Sequence, residues 1–194
     1  MKKLMMAFAV VACAAAVQAS TVKWNVGNIY TVDAEGAATT TKAASGAYYV
    51  MCFFADSAGA ATAKEISISD ALAAATSGKA ASLSSYAIYE GTTTALGKYT
   101  SSSYDGSWGA DKTVSLFALV FNDDDVADAT YVGANAAATS YTFADSAEDK
   151  SLAVSMASAT WSAIGSSPTP IPEPTSGLFL LFGVAGLALL RKRA

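Results

Sequence analysis

Ala47-Tyr48-Tyr49-Val50-Met51-Cys52-Phe53-Phe54 and Val114-Ser115-Leu116-Phe117-Ala118-Leu119-Val120-Phe121 are the two stretches on which the fold of this chain turns. Short, nearly unbroken runs of aromatic, aliphatic and β-branched residues, bounded by turn formers, are the pattern of strands buried on both faces. Both runs leave the core the same way, through Phe54-Ala55-Asp56 and Phe121-Asn122-Asp123. Phe54-Ala55-Asp56-Ser57-Ala58 recurs as Phe143-Ala144-Asp145-Ser146-Ala147, a weak hint of internal duplication in so alanine-rich a chain. Around these two strands, further ones are expected at 22–26, 85–89, 98–102, 130–132, 140–143 and 152–156, with Gly, Ser and Thr between them. One helix is expected at 70–77. Ser69 caps it, Asp70 suits the positive end of its dipole, four alanines and Leu72 carry it, and Gly78 ends it. Eight residues do not hold a helix in water, so it must dock on a sheet through Leu72 and its alanine face. The expected fold is therefore mainly β, an antiparallel β-sandwich with one short helix.

The chain has 194 residues, 53% hydrophobic and 14% charged, but its large apolar runs lie mostly at the two ends. Ala, Ser, Thr and Gly fill much of the middle, so the core must draw on Tyr, Phe and Trp. Residues 20–170 hold seven lysines and no arginine against fifteen carboxylates, a balance of −8. Such a surface repels a phosphate backbone, and no nucleic-acid partner is expected. Histidine is absent, which removes His-based acid–base chemistry, Ser-His and Cys-His nucleophiles, and His metal sites. No enzymatic activity is expected.

Residues 1–19 have the three parts of a secretory signal: basic Lys2 and Lys3, an apolar run 4–17, and small residues before a cut between Ala19 and Ser20. A retained anchor is disfavoured because roughly 14 apolar residues are short for a span. Val10-Val11-Ala12-Cys13 loosely matches a lipidation site, but the apolar run continues past Cys13 to Val17. Removing the leader removes Cys13 and leaves Cys52 alone, so the exported body has no internal disulfide. Nothing beside Cys52 supplies the cation a reactive thiolate needs, and it reads as a packing residue.

At the other end, every proline falls within Pro168-Thr169-Pro170-Ile171-Pro172-Glu173-Pro174. Alternate prolines cannot complete a hydrogen-bond ladder and favour a stiff extended spacer. An uncharged apolar run, 177–190, follows, and then Arg191-Lys192-Arg193. At about 1.5 Å per residue these 14 positions give a helix of about 21 Å. Counting from Thr175 with snorkelling basic side chains brings it close to spanning. The chain thus divides into a signal peptide (1–19), a β-rich exported domain (20–165), a Pro-rich linker (166–176), and a transmembrane helix with a basic end (177–194).

This tail resembles the PEP-CTERM sorting signal of Gram-negative bacteria, through Pro172-Glu173-Pro174, Thr175-Ser176-Gly177-Leu178, the glycines Gly183 and Gly186, and Arg191, Lys192 and Arg193. The resemblance covers about 24 residues at the end of the chain and is silent on the rest. It implies recognition by an exosortase, a membrane-embedded cysteine transpeptidase-like enzyme, after export by the general machinery. That enzyme would cut near Pro172-Glu173-Pro174 and pass the protein from an inner-membrane intermediate to the cell surface or an exopolysaccharide matrix. Contact with the membrane would then be transient, as with a GPI-type tail. Family members often have Ser/Thr/Ala-rich bodies and are often proposed to be glycosylated. Thr39-Thr40-Thr41 and Ser101-Ser102-Ser103 offer acceptors, though any solvated loop has that composition.

Two segments of the body suggest ligands. Asn122-Asp123-Asp124-Asp125-Val126-Ala127-Asp128 gathers hard oxygen donors suited to weak calcium binding through Asp123, Asp125 and Asp128. The simpler reading is a solvated turn after Phe121, since the run lacks the glycine-kinked spacing of a calcium loop. Tyr99, Tyr104 and Trp108 lie in a polar stretch, 98–109, and aromatic faces among polar groups suit sugar rings. An exopolysaccharide-binding module is therefore the alternative to a structural or interaction protein. The same rings also suit plugs at the ends of a small sandwich. Trp24 and Trp161 read as packing residues.

Overall fold

The structure is a computed structural model that describes residues 20–56, 64–106, 108–144 and 148–165. The leader with Cys13 and Ala19, the Pro-rich linker, Pro172-Glu173-Pro174, the apolar run and Arg191-Lys192-Arg193 lie outside the described residues, as does most of the second copy of the repeat.

Fourteen elements follow one another: β1 (Thr21–Gly27), β2 (Tyr30–Val32), β3 (Ala38–Lys42), β4 (Tyr49–Phe54), α1 (Ile68–Thr76), α2 (Ala80–Leu83), β5 (Tyr89–Thr92), β6 (Lys98–Thr100), β7 (Tyr104–Asp105), β8 (Thr113–Phe121), β9 (Tyr131–Ala134), β10 (Thr139–Thr142), β11 (Asp149–Ser155) and β12 (Thr160–Ala163). The chain is mainly β. Its larger sheet has the order β12-β9-β8-β4-β5, with β10 also on β8. The two apolar runs are its central antiparallel pair, in register from Tyr49 opposite Phe121 to Phe54 opposite Leu116.

Burial on both sides explains why these runs are apolar at every position. One face presents Val50, Cys52, Phe54, Leu116, Ala118 and Val120 to the smaller sheet. The other presents Met51, Phe53, Phe117, Leu119 and Phe121 to the helices. On β8, the paired strand is broken: β9 covers 119–121 and β10 covers 113–116. The gap is closed by buried Asn135, whose Oδ1 accepts the Ala118 N–H at 2.9 Å.

The smaller sheet, β11-β1-β6 with β7 also on β1, turns Val22, Trp24, Val26, Leu152 and Val154 inward. Its β1–β11 pair is parallel, Thr21 opposite Asp149 through Gly27 opposite Ser155. This departs from the antiparallel expectation, and the reason is connectivity. A hairpin forces antiparallel sense, whereas strands separated by most of the chain are joined by a long crossover that permits parallel pairing.

Other expectations shift locally. The helix begins two residues earlier than expected, with Ser67 as its cap. Its hydroxyl oxygen accepts the Asp70 N–H at 3.1 Å and lies 2.6 Å from the Asp70 carboxylate. Gly78, at φ +75°, donates to Ala75, and Lys79 donates to Ala74 at 3.0 Å. That pair of bonds is the Schellman closure. Ala71 and Ala75 form its buried contact, with Leu72 only half-buried beside them. A second helix, α2, follows directly. The strand expected at 85–89 is displaced to Tyr89–Thr92, because Tyr86 and Ala87 donate to Leu83 and continue the helical exit. Tyr86 stands out into solvent.

Candidate functional site

The structure places two of the three aromatic candidates, Tyr99 and Trp108, inside the protein rather than on a sugar-facing rim. Tyr99 is 6% and Trp108 1% exposed, and Tyr104 is half-buried. Phe54 of β4 packs against two of them, Tyr104 at 5.4 Å and Trp108 at 5.3 Å, and against Trp24 at 5.1 Å between ring centroids. Trp108 stacks on Phe143 at 5.5 Å, and Phe143 meets Tyr141 at 5.3 Å. Gly106 makes room for this packing, since a Cβ there would come within 2.3 Å of the Trp108 ring. A pyranose needs an open ring face, and Tyr99 and Trp108 have none to offer. Trp24 is fully buried, and Trp161 lies over Gly133 of the neighbouring strand, edge-on to Tyr48.

The acidic turn is organised by its own backbone. Asp123 Oδ1 accepts the Asp125 N–H at 3.0 Å, and Asp125 Oδ1 accepts the Ala127 N–H at 2.9 Å. The Asp128 N–H donates to the Asp125 carbonyl, and Tyr49 N–H donates to the Asp123 carbonyl at 2.7 Å. Asn122 fastens the base of the loop by accepting the Thr130 and Tyr131 N–H groups. The run after Phe121 is thus a turn whose carboxylates satisfy loop amides. Among the described residues, no three carboxylate or thiol groups are gathered closely enough to hold a metal ion.

Behind this turn lies a cleft of about 730 Å³. Met51, Val126 and Ile164 give it an apolar surface. Ala80 and Ala81 come from α2, Ser84 from its C-terminal cap, and Asp124 and Asp125 from the β8–β9 loop. Tyr49 also lines it, with its ring edge-on to Phe121. Glu90, directly opposite Met51 in the sheet register, accepts the Ser84 hydroxyl at 3.2 Å. Partial burial raises the Tyr49 phenol above its usual range, and the Glu90 carboxylate, hydrogen-bonded to it, and the charge on Asp125 add to the rise. Tyr49, Ser84 and Glu90 carry no sequence motif. Only pairing across strands brings them to the acidic turn.

Two other groups stand out. Cys52 is free and buried, and desolvation pushes its thiol far above the ordinary range, so it has no nucleophilic role. Glu148 takes the Lys150 ammonium at 2.6 Å, the Tyr141 hydroxyl at 2.6 Å and the Ala144 N–H at 3.1 Å. These bonds, with Lys150 foremost, hold its carboxyl down at about 2. This cluster joins β10 to the start of β11, so its role is to fasten the smaller sheet to the larger one.

No family model, curated protein or solved structure matches this chain. Among the described residues, no helix is long and apolar enough to cross a membrane.

Proposed function

We propose that this chain is an exported protein of the bacterial cell surface or extracellular matrix, of structural or interaction type, delivered by an exosortase-like sorting step. The observation that carries this is the order of its C-terminal features: Pro172-Glu173-Pro174, the apolar run 177–190, then Arg191-Lys192-Arg193, in a chain that starts with a leader-like segment. Among the described residues, the first and last strands are compatible with that order. β1 starts at Thr21, next to Ser20 at the expected cut, and β12 ends at Ala163, ahead of the first proline at Pro168.

An apolar run of about 21 Å against a hydrocarbon core of about 30 Å is a marginal anchor, which suits a temporary handle better than a permanent one. The basic triplet stays on the cytoplasmic side, and the body faces outward. Exosortase and the export machinery are its partners in transit. Because Trp108 and Tyr99 are packed inside, any hold on polysaccharide uses other surfaces. Deleting 171–194 and fractionating the cells tests the proposal. Loss of the protein from the surface and matrix is expected, and unchanged surface display contradicts it.

A further inference from the structure

The expected leader cut falls directly before Ser20, and Ser20 is fully buried. Its carbonyl accepts the Gly106 N–H at 3.4 Å, just past β7. The Thr21 N–H donates to the Glu148 carbonyl at 3.0 Å, just ahead of β11. The start of β1 is thus held between two strands, parallel β11 on one side and antiparallel β7 on the other.

That register gathers carboxylates from separate elements. Thr21 lies opposite Asp105 of β7 and opposite Asp149 of β11, and its hydroxyl donates to Asp149 Oδ1 at 2.5 Å. Glu148 is tied to the Lys150 ammonium and the Tyr141 hydroxyl. Lys23 lines the same shallow hollow as Asp149 and Lys150, and Tyr104 lies opposite Val22. Three carboxylates therefore face two lysines here, with one negative charge in excess. Opposite Cα atoms in neighbouring strands are about 4.5–5.5 Å apart. The Ser20 nitrogen is one residue from Thr21, on the side of the carbonyl that meets Gly106. It therefore lies within about one Debye length, about 8 Å, of Asp105 and Asp149.

In the uncut chain this nitrogen belongs to a neutral amide. The leader-cutting protease adds water across the Ala19–Ser20 bond, so that Ala19 leaves as a carboxylate and Ser20 gains an amine. An α-amino group ordinarily titrates at about 7.7–8.0, so at neutral pH it is mostly an ammonium. We infer that leader removal completes the fold electrostatically: the new Ser20 ammonium is held by Asp105 and Asp149 at the start of β1, and the body is more stable cut than uncut. This rests on the leader reading proposed above. Burial opposes a charge, but removing Ala19 opens the nitrogen to water, and the surplus carboxylate attracts it. The body thus stays looser until the leader has gone.

The test compares two chains running from Ser20 to Ala194, one with a free amino group and one Nα-acetylated. Acetylation removes the charge and leaves every side chain in place. At pH 6 the folding equilibrium constant of the free-amine chain, from urea unfolding, should be about tenfold the larger, the equivalent of one pKa unit. Attraction raises the pKa of the folded amine above its unfolded value. The advantage is therefore complete below about pH 7 and is lost as pH rises towards 10. Added salt should shrink it, and neither the pH arm nor the salt arm needs a variant. In the double variant Asp105→Asn, Asp149→Asn the advantage should disappear. Equal stability of the two chains overturns the inference, as does an advantage unchanged at pH 10 or in the folded double variant. N-terminal sequencing of the exported protein checks the leader reading separately. A start other than Ser20 overturns the maturation step together with that reading, whereas equal stability of the two prepared chains overturns the electrostatic hold alone.

Discussion

Replacing Trp108 by alanine should cost this protein a large share of its stability. Trp108 is 1% exposed, and its ring meets Phe54, Tyr104 and Phe143 at centroid distances of 5.3, 5.9 and 5.5 Å. Burying about 200 Å² of indole at about 25 cal/mol per Å² gives about 5 kcal/mol, an upper bound because the unfolded chain already shields some of that surface. Truncating buried Trp in other proteins costs about 3–5 kcal/mol, in line with this figure. A domain of this kind has about 5–15 kcal/mol in total. With a urea m-value of about 1–3 kcal/mol per M, the midpoint should drop by more than 1 M. Far-UV circular dichroism is the suitable probe, since the substitution removes one of the three tryptophans. Trp108→Phe, which keeps a ring against Phe143, should restore most of the loss. If Trp108→Ala unfolds within about 0.5 kcal/mol of the native chain, the ring is a surface platform and the core described here is wrong.

Asn135→Ala should cost about 1–3 kcal/mol, because the buried Ala118 N–H loses the Asn135 Oδ1 that accepts it. Hydrogen exchange at Ala118, accelerated beyond the global change, is the specific readout. Gly133→Ala should destabilise by about 1–3 kcal/mol and alter Trp161 fluorescence, since the new methyl would lie 2.8 Å from the indole. The Glu148 cluster sets a pH dependence. Its folded carboxyl titrates at about 2, below the ordinary value of 4.5, so its contribution is complete above about pH 4.5 and is lost as pH falls through 2. Over that window the urea midpoint of the native chain should fall more than that of Glu148→Gln, and parallel decline in the two would count against the cluster.

What the sequence disclosed was what short-range pattern controls. The nearly unbroken apolar character of 47–54 and 114–121 follows from burial on two faces, and the strands observed there run Tyr49–Phe54 and Thr113–Phe121. Capping chemistry located α1 to within two residues, though it pointed to Ser69 where Ser67 is the cap. Elements whose character depends on distant partners were hidden. Nothing in the local sequence of β1 reveals a parallel partner at Asp149–Ser155. Nor does the polar stretch around Trp108 show that Phe54 and Phe143 bury its ring. Three- and two-residue strands such as β2 and β7 are held by neighbours and have no period to read. The cleft is the extreme case, because Tyr49, Ser84, Asp124 and Ile164 meet only in the folded chain.

The proposal that both ends are removed in the service of sorting is tested most directly by the intact mass of the protein recovered from cells that express its sorting enzyme. The account predicts a species that begins at Ser20 and ends close to Pro172-Glu173-Pro174, with any added glycan visible as extra mass. A species running through Ala194 and lodged in the inner membrane would contradict it.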